Sequence, residues 1–162
     1  MPHRASKSLS KARTKGKRAP TLAKLKLKAW KLLSEVIRRE AADSNGMVRC
    51  YTSGVVVHWK EIQAGHAIGG RTGAVLLDEE IIRPQSYREN VALRGNYPVF
   101  TTKLIREKAA AYQGLNPSFA LREAMEWWEG KLISAKQVRK WDRVDLEAKI
   151  EGYKARLASS HV

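Results

Sequence analysis

The segment Ser86 to Asn96, SYRENVALRGN, sets Ser86 and Glu89 three residues apart directly before Asn90, and Cys50 and Ser53 repeat that spacing upstream. Two such pairs have the spacing of a metal knuckle, in which four side chains close around one ion. A closed tetrahedral zinc site takes thiolates and imidazoles. Here Cys50 is the only thiol, and Ser53, Ser86 and Glu89 stand where three further thiolates belong. One thiolate and one carboxylate fall short of a closed set, so no tightly bound structural zinc is expected. A single cysteine also excludes an intrachain disulfide framework and fits a reducing compartment. Between the two pairs lies Ala64-Gly65-His66. Taken by itself, a histidine between Gly65 and Ala67 at the end of an apolar strand is most often a hydrogen-bonded structural residue.

Charge says what these residues face. The chain has 162 residues, with 31 Lys+Arg against 16 Asp+Glu and a net charge of +15, which points to a polyanionic partner. The excess is uneven: residues 1–40 hold 13 basic and 2 acidic side chains, and the remainder is nearly balanced. No stretch approaches the roughly 18 to 20 apolar residues of a membrane span, so no integral membrane protein is expected. The acid-free N-terminus suits a transit peptide in composition, but no apolar secretory core follows it.

The elements follow from periodicity. Residues 1–20 carry no apolar pattern and read as a disordered basic tail. Over residues 21–43, Leu22, Leu25, Ala29, Leu32, Leu33 and Val36 recur at helical spacing behind the capping residue Thr21. Lys24, Lys28 and Lys31 lie on its other faces, as a basic helical arm that tracks phosphates. Met47 to Trp59 is rich in β-branched residues around Thr52-Ser53-Gly54 and predicts a hairpin. A short strand over Glu61 to Ala67 precedes a glycine-rich loop, and Asp78-Glu79-Glu80 reads as a solvated turn. From Asn90 the pattern turns helical to Tyr112, with a break at Pro98.

The C-terminal third, residues 117–158, predicts a helical pair. One helix opens at Pro117-Ser118 and runs through Trp127-Trp128, aromatics that belong to a core at such spacing. A longer one runs from Ser134 to Leu157, with Val138, Trp141, Leu146, Ile150, Tyr153 and Leu157 as its buried stripe.

Taken in order, Cys50-x-x-Ser53, Ala64-Gly65-His66, Pro84-Gln85, Ser86-x-x-Glu89-Asn90 and Gly95-Asn96 resemble the HNH, or ββα-metal, endonucleases. The likeness is specifically to the phage NinG (Rap) recombination nucleases, in which C-x-x-C, AGH, PQC-x-x-CN and GN wrap a structural zinc around a catalytic hairpin. It covers roughly Met47 to Ile105. The resemblance implies an HNH-like core over residues 47–113. It assigns His66 as the base and Asn90 as a carbonyl-oxygen ligand for Mg²⁺ or Mn²⁺, with Asn96 completing the retained set. It also implies hydrolysis of DNA, on branched recombination intermediates, in the cytoplasm of a bacterial host. Such hydrolysis needs a base to activate water and a hard cation on the scissile phosphate.

The chain departs from that pattern in places. Gly65 stands where many HNH enzymes have Asp, Gln63 where the NinG proteins have one nearby, Ile81 in place of the signature Asn and Ala92 in place of the last His. Arg71, Arg83, Arg88, Arg94 and Lys103 surround the motif and suit DNA phosphates whether or not chemistry survives. Three readings stay open: a metal-dependent HNH endonuclease, a catalytically inactive HNH-fold DNA-binding protein, and an RNA-binding basic protein. The fold expected is α+β, a small ββα-metal-like core flanked by the basic helix and the C-terminal helices.

Overall fold

The computed structural model describes residues 19–69, 73–112 and 114–160. Helix α1, Leu22–Glu40, starts where the Thr21 hydroxyl accepts the amide of Lys24, 3.4 Å away. Its buried residues Leu25, Ala29, Leu33 and Val36 form one stripe against the C-terminal helix and the second pair of strands. The helix is thus no appended arm. It is a central core element, and Lys24, Lys28 and Lys31 are left on its exposed side.

Strand β1, Met47–Arg49, pairs antiparallel with β2, Val56–His58, around a turn in which Gly54 takes φ +79°. Strand β3, Gln63–His66, pairs antiparallel with β4, Ile82–Gln85, placing Gln63 opposite Gln85 and His66 opposite Ile82. After β4 comes a π-helical turn, Arg88–Ala92, and then α2, Tyr97–Ala110. Pro98 does not break a helix running on from Asn90, because it sits in the first turn of α2, where a missing N–H costs no intrahelical bond.

Helix α3, Pro117–Ala135, and helix α4, Arg143–Ser159, complete an α+β fold of helices around two small two-stranded sheets. The single long helix expected from Ser134 is interrupted. Asp142 caps α4 by accepting the amide of Asp145 at 2.8 Å, and Val138 in the connection is 89% exposed rather than buried. Trp141, Leu146, Ile150 and Tyr153 do lie in the core, with Leu157 packed against it. The Trp141 indole donates to the Gly73 carbonyl at 2.7 Å, which draws the ring inward while Val138 turns out. Trp128 is buried, and Trp127 lies partly buried beneath the ammonium groups of Lys108 and Lys131. A second, smaller cluster of Val48, Cys50 and Ile62 supports the first sheet.

The acidic run is not a solvated turn. Asp78 caps a 3-10 turn, Glu79–Ile81, by accepting the Glu80 amide at 3.2 Å. Lys131 of α3 bridges Asp78 and Glu80 at 2.8 and 2.5 Å, and Lys108 of α2 reaches Glu80 at 3.3 Å. Arg156 of α4 joins Glu79 at 2.6 Å to Glu40 of α1 at 2.8 Å. The run therefore adds ion pairs between helices that also pack through the apolar core. The Arg156 hydrogen bond holds the Glu40 carboxyl below its ordinary range against the opposing effect of burial, and Lys131 does the same for Glu80.

Carboxyls depressed in this way contribute stability above their ordinary range and lose it as pH falls through the folded values. Replacing Arg156 with Ala should therefore cost about 1–2 kcal/mol at pH 7. The same change should shrink the difference between unfolding midpoints at pH 7 and pH 4, measured by circular dichroism. An unchanged pH dependence would show the network to be idle.

Candidate functional site

A cleft of about 710 Å³ opens between α1 and β3. Trp30, Ser34 and Arg38, spaced four apart on α1, form one wall beside the buried stripe. Lys60, Glu61, Gln63 and His66 come from β3 and the residues before it, Asn90 and Val91 from the π-helical turn, and Tyr97 from the start of α2.

His66 ends β3 and is 7% exposed. Its ring stacks on Trp30 with centroids 4.7 Å apart and planes inclined by 29°. Its Nε2 lies 3.2 Å from the Leu76 carbonyl oxygen. A carbonyl only accepts, so this contact puts a proton on Nε2. Asn90 is held just as specifically. Its backbone amide donates to the Ser86 carbonyl at 2.9 Å, and its Nδ2 donates to Gln63 Oε1 at 2.7 Å. That second bond commits the nitrogen end of the side chain and leaves Oδ1 as the group able to meet a cation or a donor.

One rim is cationic. Arg38 donates from Nε to the Ser34 carbonyl at 2.9 Å and from a terminal nitrogen to the Trp59 carbonyl at 3.4 Å. Burial lowers its pKa from the ordinary value; the Glu35 carboxylate works against that shift and the neighbouring Arg39 with it. Arg39, Arg38 and Lys60 group around the Trp59 ring at 4.6, 5.6 and 5.6 Å from its centroid.

The knuckle is assembled by hydrogen bonds. The Ser86 amide donates to Cys50 Sγ at 3.2 Å, and the Thr52 hydroxyl lies 3.5 Å from the same sulfur. Burial pushes the Cys50 thiol up, but the Ser53 hydroxyl, the Ser86 and Ser53 amides and the Thr52 hydroxyl outweigh it and bring it down to about 6. The Ser86 hydroxyl accepts the Glu89 amide at 3.4 Å, and the buried Glu89 carboxylate is taken by Asn96 Nδ2 at 2.6 Å. Gln85, fully buried, donates to Thr52 Oγ1 at 3.3 Å and to the Gly95 carbonyl at 2.9 Å. Gly65 lies against the Gln85 side chain, and a Cβ there would collide with it.

Of the residues singled out in the sequence, the fold brings His66 and Asn90 into one cleft. Asn96 is outside its lining: at φ +44° it bonds Glu89 and leads into α2. Cys50, Ser53 and Ser86 meet in the knuckle, and Glu89 lies behind Ser86. The guanidinium of Arg83 is spent on Glu107 at 2.6 Å and on nearby carbonyls, and Lys103 Nζ donates to the carbonyls of Tyr51 and Thr52 at 2.9 and 3.0 Å. Arg88 and Arg94 are exposed on the turn, and Arg71 lies outside the described residues. Sequence reading missed Trp30, Arg38 and Lys60 as lining residues. The fourfold spacing of Trp30, Ser34 and Arg38 next to an apolar stripe was the available signal.

Set against family models, curated proteins and solved structures, the chain matches none. Among the described residues no helix is long and apolar enough to cross a membrane.

A thiol depressed in the fold contributes stability above its ordinary range, and that contribution is lost as pH falls toward 6. Under reducing conditions, resistance to urea should rise between pH 6 and pH 9. Cys50→Ala should flatten the rise and cost about 2 kcal/mol at pH 8. A parallel pH profile in the variant would refute the hydrogen-bonded knuckle.

Proposed function

We propose that the chain is a metal-dependent DNA endonuclease of the HNH, ββα-metal kind, similar to the phage NinG recombination nucleases and working in a bacterial cytoplasm. The observation that carries this reading is the meeting of His66 and Asn90 in one cleft, each with its orientation fixed by a second group.

Phosphodiester hydrolysis needs a water stripped of its proton beside the phosphorus. The imidazole of His66 takes that proton. The Leu76 carbonyl then accepts from Nε2 of an imidazolium, a stronger bond than the neutral ring makes, and Trp30 keeps the ring plane fixed. Arg38 and Lys60 hold substrate phosphate at the rim. Mg²⁺ or Mn²⁺ is bound through few protein groups together with phosphate oxygens and water. Asn90 Oδ1 and the Glu61 carboxylate suit an ion of that kind, bound with the substrate rather than before it. When bound it supplies charge stabilisation at the phosphate and the leaving oxygen. The knuckle does not suit zinc, because Glu89 is committed to Asn96 and Cys50 is the only thiolate.

A second reading, DNA binding without catalysis, draws on the sparse donor set. Glu61 is the one carboxylate lining the cleft among the described residues, and no three His, Cys, Asp or Glu among them cluster as a metal site.

Incubation with a four-way junction and with linear duplex, in Mg²⁺ or Mn²⁺, separates the two. The endonuclease reading expects cleavage that His66→Ala slows by about 10²–10⁴-fold, with binding retained within about twofold. A variant that cuts as fast as its parent would remove His66 as the base. A parent that binds and never cuts would leave the second reading, and one that prefers RNA would displace both.

A further inference from the structure

Helix α3 spends one face on its own chain and leaves a second apolar row outside. Ala120, Ala124 and Trp128, spaced four apart, are buried where the helix packs against α2, and Lys131 on the same side bonds Asp78. Roughly a quarter turn around the helix, Leu121, Met125 and Leu132 are 45%, 49% and 40% exposed. Spacings of four and seven place these three on one line along the axis. Leu121 and Met125 line a single shallow concavity of about 450 Å³ with Ser118, Arg122, Glu126 and Glu129, and Leu132 continues the row toward the C-terminal end. With Trp128 at its inner edge the row reads 121, 125, 128, 132, the alternating spacing of four and three by which two helices mesh. A helix face turned to water is ordinarily polar, so an apolar row of this kind marks a docking surface.

The charges beside the row identify the occupant. Arg122 and Glu129 are exposed and, by helical spacing, lie on the same side of the row. Within the chain Arg122 makes a loose ion pair with Glu126, 3.9 Å between exposed side chains. Positions 122 and 129 are equally far from the midpoint between Met125 and Glu126. A two-fold axis through that midpoint lays α3 of a second copy antiparallel and sets Arg122 of each copy against Glu129 of the other. The same operation brings Leu121 of each to Leu132 of the other and gathers both Met125 side chains at the axis. A parallel arrangement would set each Arg122 level with its own counterpart. We infer that the outer face of α3 is a self-association surface, on which a second copy of this chain docks antiparallel. The inference stands apart from the nuclease reading, since no α3 residue lines the cleft. One helix a side makes a small interface, so monomer and dimer exchange with concentration.

Sedimentation equilibrium of the full chain, from about 5 to 300 µM, tests it. Salt at about 0.15 M screens the repulsion between two chains of net charge +15. The parent should pass from monomer to dimer across that range. Leu121→Gln with Met125→Gln should weaken the dimer by about tenfold or more, with the far-UV circular dichroism of the parent, because both side chains are exposed in the monomer. Arg122→Glu alone and Glu129→Arg alone should each weaken it similarly, since each sets like charges face to face. An equimolar mixture of those two variants should dimerise again, because opposite charges then meet at both contacts. A parent that stays monomeric at the highest concentration would overturn the inference, and so would a dimer that survives the Leu121 and Met125 changes. Charge reversals without effect, or not rescued by mixing, would overturn the antiparallel pairing.

Discussion

Burial of Leu25, Ala29, Leu33 and Val36 along α1, between α4 and the β3–β4 pair, is the constraint from which the rest of the structure follows. Burying each of the two leucines and the valine is worth about 1.5–3 kcal/mol, and the smaller Ala29 less, enough together to fix the rotation of the helix about its own axis. That rotation turns the neighbouring row, Trp30, Ser34 and Arg38, into the wall of the cleft. The same helix therefore supplies core, the stacking partner of the candidate base and a cationic rim. Its solvent face carries Lys24, Lys28 and Lys31 as a positive surface outside the cleft lining.

Around this seam, polar networks add directional bonds to the apolar packing. The acidic run at residues 78–80 gathers α2, α3 and α4, and α1 joins through Glu40. At the knuckle, hydroxyl and amide donors gather on one sulfur, and an asparagine takes up one buried carboxylate. Both are directional, which suits the task of holding a short turn in a conformation that its sequence alone would not choose. Gly65 shows how tight the fit is, because Gln85 fills the space a side chain would need.

Local pattern carried much of this into the sequence. The first helix, the hairpin at Met47 to Trp59, the strand ending at His66 and, Val138 apart, the inward stripe from Trp141 to Leu157 all follow from periodicity and capping residues, and the structure has them. Long-range polar pairing was not legible in the same way. A triple acidic run looks the same in sequence whether it faces water or three cations, and Lys108, Lys131 and Arg156 stand 28 to 77 residues from their partners. The bonds of Arg83 to Glu107 and of Lys103 to backbone carbonyls are tertiary facts of the same kind. His66 and Asn90 could be picked out as a pair, but Trp30 and Gln63, which orient them, emerge only once α1 is docked and the turn is built.

The central claim is that the cleft, and no other part of the surface, presents a phosphodiester and its cation to His66 and Asn90. Paramagnetic broadening by Mn²⁺, followed by NMR in the presence of a short gapped duplex, tests it most directly. Broadening that begins at the side-chain amides of Asn90 and Gln63 and the ring of His66, requires the DNA, and disappears in Asn90→Ala is the predicted result. Broadening centred on Asp78 to Glu80, with the cleft signals left sharp, would contradict it.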